Sequence, residues 1–274
     1  AQQFGLEMPK NLRHGEGSKD IKEQMLKANS RAVDFYTDRL LKNQDSDTEN
    51  VLKYLTKRGI SKDVIKKFHL GFAPKTYTAL YDELKKDFSD DILEKSGLVI
   101  AGQKTRFIDR FRGRIIIPIQ NEFGDFVAFG ARAIEEGQSP KYLNSPDSLI
   151  YNKSKILYGL YTAKEAIKEQ DSVILMEGYF DVISAQAHGI ENCVASCGTA
   201  LTQEHVKLLS RYTKSRKIYL LLDTDSAGQK ANYPGPELIK EVFEGIVHLK
   251  LFDERYISTS SDKYDFQVRF ISSP

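Results

Sequence analysis

From Asp171 onward the sequence alternates between short apolar runs and helix-like segments, and this alternation restricts the fold more than any other feature. The apolar runs are SVILM, NCVAS and KIYLLL, and the segments between them are YFDVISAQAH and TQEHVKLLSRYT. Strands that alternate with helices pair in parallel, because each helix crosses the face of the sheet before the next strand begins. We therefore predict a parallel sheet flanked by helices over residues 170–274, with IVHLKLF as its fourth strand.

In residues 1–169 the apolar residues are spaced differently, and their pattern predicts a separate mixed α+β subdomain. Apolar residues at helical spacing indicate one helix that begins after Ser18, a second that ends at Gly59 and a third that is capped by Ser61. Two short helices follow, and then RIIIPI and FVAFGARAI predict two antiparallel strands around a glycine-containing turn. The stretch EEGQSPKYLNSPDS is predicted as a loop, and ILYGLYTAKEAIKEQ as a helix. The predicted class is α/β, with a domain boundary near residue 169.

The composition and the two cysteines restrict the class of protein. Hydrophobic residues make up 41% of the chain and no apolar run reaches the length of a membrane span, so we expect a soluble globular protein. Cys193 and Cys197 allow a disulfide, but their low number favours buried free thiols in a reducing cytoplasm. We expect no zinc, because CVASC has no further ligands beside it.

Charge is nearly balanced over the whole chain but concentrated in one segment. There are 40 basic and 38 acidic residues, for a net charge of +2. The segment KTRFIDRFRGR, residues 104–114, carries five basic residues and one acid. This local charge suits a phosphate-bearing partner, and it equally suits a strand edge that charge protects from aggregation.

Three acids follow apolar runs of the predicted sheet. Glu177 comes directly after VILM, and Asp223 and Asp225 come after IYLLL. Because the carboxyl ends of parallel strands face one crevice, these carboxylates should converge there, and an oxygen-only cluster suits Mg²⁺ or Mn²⁺. Each acid alone is also a common helix cap, as Asp225 would be, but the three together favour a metal site. Asp181, one helical turn after Glu177, lies either beside that site or in solvent.

The sequence resembles the bacterial replicative primase family, the DnaG type, in a set of ordered motifs. EGYFDV and DTDSAGQKA are similar to the two halves of the Toprim signature. The other motifs, in chain order, are YLTKRGIS, GFAP, DRFRGRIIIPI, AFGAR, PKYLNSPDS, LYGLY and VASCGTALT. The resemblance extends from Phe4 to about Ala231 and implies a Toprim-type fold for the second half of the chain.

The resemblance also implies roles for particular residues. Glu177, Asp223 and Asp225 would be the catalytic, metal-binding acids, with Asp181 beside them. A track for nucleotide phosphates and template would consist of Arg58, Arg110, Arg112, Arg132, Lys141, Tyr142, Asn144 and Lys153. The tail departs from the family's further acidic pair: Asp262 matches it best by its surroundings, and Asp253, directly after HLKLF, is the alternative.

The activity that the resemblance implies is template-directed synthesis of RNA primers on single-stranded DNA from ribonucleoside triphosphates, with two or more Mg²⁺ or Mn²⁺ ions. The family's zinc-binding and helicase-binding modules are not in the sequence, so contact with a replicative helicase would need a module that this chain lacks. We expect a monomer at the nucleoid in the bacterial cytoplasm, without a membrane partner. The alternatives are another Toprim enzyme, such as a nuclease or topoisomerase, and a catalytically impaired module that binds single-stranded DNA.

Overall fold

A computed structural model describes residues 11–42, 45–103, 105–198, 201–215, 217–221, 248–250 and 265–270. The helices in these ranges are α1 (Asn11–Lys42), α2 (Ser46–Lys57), α3 (Lys62–Lys67), α4 (Ala79–Leu84), α5 (Asp90–Lys95), α6 (Leu160–Gln170), α7 (Tyr179–Ala187) and α8 (Gln203–Leu209). The strands are β1 (Gly71–Ala73), β2 (Val99–Ala101), β3 (Phe107–Asp109), β4 (Arg114–Gln120), β5 (Phe126–Ala133), β6 (Tyr142–Asn144), β7 (Leu157–Tyr158), β8 (Ser172–Met176), β9 (Cys193–Ser196), β10 (Lys217–Leu221), β11 (His248–Lys250) and β12 (Asp265–Phe270).

The first sheet is antiparallel and is covered on both faces. Its strand order is β1-β4-β5-β6, and β2 and β3 form a separate two-stranded ladder. Successive residues of β4 point to opposite faces, as the two-residue period of a strand requires. Ile116 packs in a cluster with residues of α1, whereas Ile115 and Ile117 pack in a cluster that includes residues of α7. The first sheet is therefore covered by α1 on one face and by elements that include α2 and α7 on the other.

The second sheet is parallel apart from one edge strand, as the alternation after Asp171 predicts. Its order is β11-β12-β10-β8-β9-β7, and only β7 pairs antiparallel, with β9. The register places Met176 of β8 beside Leu221 of β10 and beside Ala195 of β9. Three neighbouring parallel strands therefore end side by side, and we call this place the carboxyl edge.

Several predicted boundaries are confirmed. The Ser61 side chain caps α3 by accepting a hydrogen bond from the Val64 N–H, and the Thr202 side chain caps α8 by accepting from the His205 N–H. Gly59 follows the end of α2 with a positive φ of 74°, a conformation that favours glycine. Cys193 and Cys197 are buried free thiols, as expected.

Other predicted boundaries are wrong. Ser18 does not begin a helix, because α1 already runs from Asn11 and continues through that residue. The predicted helix ILYGLYTAKEAIKEQ contains β7 first and becomes helical only from Leu160, after Gly159 turns the chain with a φ of 79°. The predicted loop contains β6, and β1 and β12 were not predicted at all.

The division of the chain at residue 169 stays a prediction. β7 precedes that position and α6 spans it, yet β7 pairs in the second sheet and α6 packs on it. No helix in the described ranges combines the length and apolar character that crossing a bilayer requires.

Candidate active site

The carboxyl edge carries Glu177 directly after Met176, the last residue of β8. Asp223 and Asp225, which were predicted to join it, lie outside the described residues, as do Asp253 and Asp262. Asp223 follows Leu221 by two residues in the sequence, and Leu221 pairs with Met176. The convergence of the three acids stays a prediction, and the register of β8 and β10 supports it.

Asp181 lies at the same edge and is held in place by the chain itself. Its Oδ2 accepts a hydrogen bond from the Gly178 N–H at 3.0 Å, which closes the first turn of α7. A Cβ on residue 178 would lie 2.7 Å from that oxygen, so a larger residue there would displace the Asp181 carboxylate. The Asp181 carboxylate therefore occupies the space beside Gly178.

The first sheet meets the carboxyl edge through Asn144, at the end of β6. The Asn144 Nδ2 donates to the Cys197 carbonyl at 3.1 Å, just beyond the end of β9, and the Tyr179 hydroxyl donates to the Asn144 Oδ1 at 3.0 Å. The Arg110 Nη2 donates to the Asn144 carbonyl at 3.1 Å. Asn144 therefore joins the two halves of the chain beside the predicted metal site.

Two predicted phosphate ligands, Arg58 and Arg132, lie close together among three aromatic rings. The Arg132 guanidinium carbon is 4.6 Å from the centre of the Tyr54 ring and 5.7 Å from those of Tyr142 and Phe180. The Arg58 guanidinium carbon is 5.1 Å from the Tyr54 ring centre and 5.5 Å from that of Phe180. We call these five residues the arginine box.

Arg132 is the buried member of the arginine box. Arg132 is only 9% exposed, and its Nε and Nη1 have no hydrogen-bond partner among the described residues. Buried polar groups in folded proteins are almost always paired, so unpaired donors on a charged group indicate a site for an anion. Arg58, in contrast, is exposed.

Tyr142 lies where the basic residues and the acids meet. Burial raises the pKa of its hydroxyl, the charges of Arg132 and Arg58 lower it, and the charge of Asp181 raises it. The charges of both arginines and of Asp181 therefore affect the pKa of one hydroxyl group. Arg58 directly follows α2, Arg132 lies on β5 and Asp181 lies on α7. Asn144 lies two residues after Tyr142 on the same strand. Five predicted site residues are therefore found in this region: Arg58, Arg132, Tyr142, Asn144 and Asp181.

Lys153 and Lys141 flank this group. The Lys153 carbonyl accepts a hydrogen bond from the buried His205 Nε2 at 2.9 Å, which fixes the backbone of its loop. Burial raises the pKa of the Cys197 thiol to about 11, and the charge of Lys153 opposes that rise, so its ammonium lies near the end of β9. Lys141 is exposed and directly precedes Tyr142.

The basic segment divides into side chains with different partners. Arg114 is buried and its Nη1 donates to the Pro140 carbonyl at 2.7 Å, so it supports the loop before β6. The Arg112 Nη1 donates to the Asp109 carbonyl, and its guanidinium carbon is 5.4 Å from the centre of the exposed Tyr77 ring. Arg110 reaches Asn144, as described above, and Lys104 lies outside the described residues. Arg110 is thus connected with the carboxyl edge through Asn144, whereas the Arg112 guanidinium contacts Asp109 and Tyr77.

Sequence reasoning missed three aromatic residues of this region, Tyr54, Tyr179 and Phe180. Tyr54 lies four residues before Arg58, a spacing that puts two side chains on one face of a helix. Tyr179 and Phe180 stand between Glu177 and Asp181 in EGYFDV, and both look like ordinary core residues. The helical spacing of Tyr54 and Arg58 was a usable signal, whereas nothing in the sequence distinguished the other two.

Comparisons with known proteins agree with the fold described above. Residues 35–164 match the family model of the DNA primase catalytic core, N-terminal domain, and residues 174–251 match a Toprim-like model. The crystal structure of the RNA polymerase domain of Mycobacterium tuberculosis primase DnaG is 34% identical, with a TM-score of 0.70 over 76% of this chain and 69% of that one. The chain belongs to the DnaG primase family. The DNA primase of Aquifex aeolicus is 45% identical over 215 residues, which are 78% of this chain and 41% of that protein.

A further primase structure carries nucleic acid. The DnaG primase catalytic domain bound to single-stranded DNA is 32% identical, with a TM-score of 0.70 over 80% of this chain and 67% of that one. The chain spans less than half the length of the curated primases it matches. The matches support neither a Toprim nuclease nor a topoisomerase. They confirm the predicted α/β class with a Toprim-type second half.

The acids of the carboxyl edge are suited in type to a divalent cation. Glu177 and Asp181 offer only carboxylate oxygens, which Mg²⁺ and Mn²⁺ prefer and which are less suited to zinc. One oxygen of Asp181 is already engaged by the Gly178 N–H. Within the described ranges no three acidic, histidine or cysteine side chains form a metal-binding group, and both members of the Asp223 and Asp225 pair lie beyond those ranges.

Proposed function

We propose that this chain is the catalytic core of a primase, which synthesises short RNA primers on single-stranded DNA. The observation that carries the proposal is the position of the arginine box, where the Arg132 guanidinium carbon is 5.7 Å from the ring centre of Phe180, one residue before Asp181. A nucleoside triphosphate needs cationic donors for its phosphates and acid-bound cations beside them, and this region has arginines beside an acid suited in type to such a cation. A related primase domain binds single-stranded DNA, which supports a DNA template here.

In the proposed reaction the 3′-hydroxyl oxygen of one ribonucleotide attacks the α-phosphorus of the next. The bond from that phosphorus to the bridging oxygen breaks, pyrophosphate leaves, and the hydroxyl proton passes to solvent. Arg58 and Arg132 bind the outgoing phosphates, and the Tyr142 ring stacks on a base. No protein nucleophile is needed, because orientation and charge stabilisation lower the barrier.

Two or more divalent cations, Mg²⁺ or Mn²⁺, would be held by Glu177, Asp223 and Asp225, with Asp181 beside them and Asp262 or Asp253 as a further ligand. Bound there, such ions neutralise the triphosphate and make the 3′-hydroxyl a better nucleophile. Template DNA would contact Arg110, Arg112, Lys141, Asn144 and Lys153, and its affinity should fall as salt rises. Association with a replicative helicase, the monomeric state and a nucleoid location in the bacterial cytoplasm are further proposals.

The test is a primer-synthesis assay with labelled ribonucleotides, a single-stranded template and Mg²⁺ or Mn²⁺. Glu177→Gln keeps the shape of the side chain and removes its charge, so synthesis should fall at least about hundredfold while template binding persists. Glu165→Gln is the matched control, because Glu165 is exposed on α6 and pairs with Lys168. Cleavage of the template by the parent protein would contradict the proposal, and so would full synthesis by Glu177→Gln.

A further inference from the structure

Tyr54 and Phe180 contact both guanidinium groups of the arginine box. The two rings lie at 77° to each other with centres 6.3 Å apart, and each is within 5.7 Å of the guanidinium carbons of Arg58 and Arg132. Tyr142, in contrast, is within that distance of Arg132 alone. Two like charges therefore share one pair of aromatic rings.

Holding two arginines together in a partly buried place requires something to offset their repulsion. A carboxylate would do so, but it would also occupy the N–H donors of the guanidinium groups. An aromatic face attracts a cation through its ring electrons and leaves the donors on the edge of the guanidinium available. The buried Nε and Nη1 of Arg132 have no hydrogen-bond partner among the described residues, so no described carboxylate occupies them.

Tyr54 contributes its ring and not its hydroxyl. The Tyr54 hydroxyl is buried and has no hydrogen-bond partner among the described residues. Tyr54 comes from α2, whereas Phe180 comes from α7 and is only 4% exposed. The arginine box is complete only where the two halves of the chain meet, one residue from Asp181.

We propose that Tyr54 and Phe180 are positioning residues that hold Arg58 and Arg132 side by side, with donors free, as one subsite for the phosphates of a nucleoside triphosphate. This inference rests on the proposed function, because it takes the two arginines as phosphate ligands. A triphosphate is favoured over the phosphodiester of the template, because Phe180 directly precedes Asp181, and a cation held by that acid would share the triphosphate charge.

The experiment measures the affinity of a fluorescent ATP analogue with Mg²⁺ and, separately, that of a single-stranded DNA oligonucleotide. Tyr54→Leu and Phe180→Leu remove an aromatic face, so ATP affinity should fall about five- to thirtyfold. Tyr54→Phe keeps the face and should bind ATP within about twofold of the parent. In primer synthesis, Tyr54→Leu should raise the KM for ribonucleotides more than it lowers kcat, which a general loss of structure would not do.

Two controls make the result specific. Tyr161→Leu is the same substitution at a tyrosine that also contacts a cation, with Lys164 Nζ 4.5 Å from the ring centre, but it belongs to α6 and packs on Gly124. It should leave ATP affinity unchanged. Thermal unfolding of every variant identifies a protein that fails to fold, and the half-buried Tyr54 keeps the test open if Phe180→Leu does so.

Each other outcome overturns the inference in a different way. Unchanged ATP affinity in Tyr54→Leu removes the positioning role, and so does an equal loss in Tyr54→Phe. A loss of DNA affinity alone assigns the subsite to the template. If Arg132→Met also binds ATP normally, the phosphate-binding role of the arginines fails and the proposed function loses its main support.

Discussion

Arg114 and Arg132 lie on paired strands, β4 and β5, and both are at least nine-tenths buried. Their guanidinium groups nevertheless differ in their hydrogen-bond partners. Arg114 is 5% exposed, and its guanidinium donates to the carbonyls of Pro140 and Ser139. Arg132 is 9% exposed, and two of its nitrogens have no partner among the described residues. Burial alone therefore does not separate these two arginines, whereas the hydrogen-bond partners of their guanidinium groups do.

The largest expected effect is that of Arg132→Met on activity. Removing the charge should lower primer synthesis about hundredfold or more, because a charged hydrogen-bond donor to phosphate is lost. Stability should stay the same or rise, since the variant no longer buries unpaired donors. Synthesis rates and thermal unfolding measured on one preparation test both statements. Arg132→Lys, which keeps the charge without the planar fork, should lie between parent and variant.

If Arg132→Met lost stability and activity in proportion, Arg132 would be structural like Arg114, and the comparison would break.

Arg114→Met should show the reverse pattern. The substitution leaves the Pro140 and Ser139 carbonyls without their donor, so the free energy of unfolding should fall by about 2–3 kcal/mol. The folded protein should synthesise primers within about threefold of the parent rate, because the Arg114 guanidinium donates to the Pro140 and Ser139 carbonyls, which lie outside the arginine box. Urea unfolding gives the first quantity, and synthesis at a temperature well below unfolding gives the second. A stable but inactive variant would place Arg114 in the site.

A third buried group, His205, extends the comparison to a side chain that can lose its charge. Its Nδ1 accepts from the Thr202 N–H at 3.3 Å, so the proton must be on Nε2, which donates to the Lys153 carbonyl. Burial lowers its pKa from the ordinary 6.5. A lowered pKa means that the neutral ring contributes stability above about pH 6.5, and this contribution is lost as the pH falls below that value.

The free energy of unfolding, measured in urea, should accordingly fall as the pH is lowered from 7.5 to 5.5, by up to about 1.4 kcal/mol for the unit of pH below 6.5. His205→Gln should be less stable at pH 7.5 and should depend less on pH. Some dependence should remain, because burial also lowers the pKa of His69. An equal pH dependence in parent and variant would show that His205 does not titrate in this way.

Sequence periodicity predicted the second sheet well, because helices and strands alternate there and each strand is a continuous apolar run. It predicted the short elements poorly. β6 has three residues and β7 has two, and their pairing partners are distant in the chain, so no local pattern marks them. The early start of α1 was missed because a serine that could cap a helix can also lie inside one.

The roles that the resemblance implies for Arg132 and Asp181 stay predictions, and the structure places the Arg132 guanidinium against Phe180, the residue before Asp181. The roles of Asn144 and Arg114 were not predictable, because each depends on carbonyl groups that only the tertiary fold brings near. Likewise, nothing in EGYFDV marks the close approach of the Asp181 carboxylate to Gly178, which only the fold shows. Sequence gives the inventory of donors and acceptors, and the fold determines which of them are already used.

The smallest expected effect compares two buried tyrosines whose ring centres are 5.0 Å apart, Tyr158 and Tyr179. The Tyr158 hydroxyl has no hydrogen-bond partner among the described residues, whereas the Tyr179 hydroxyl donates to the Asn144 Oδ1. Tyr158→Phe should therefore leave the free energy of unfolding unchanged or raise it by up to about 1 kcal/mol, and Tyr179→Phe should lower it by about 1 kcal/mol. Urea unfolding of the two variants side by side measures the difference. If Tyr158→Phe were the more destabilising of the two, counting unpaired donors would fail for neutral groups, and the contrast between Arg114 and Arg132 would have to be attributed to charge alone.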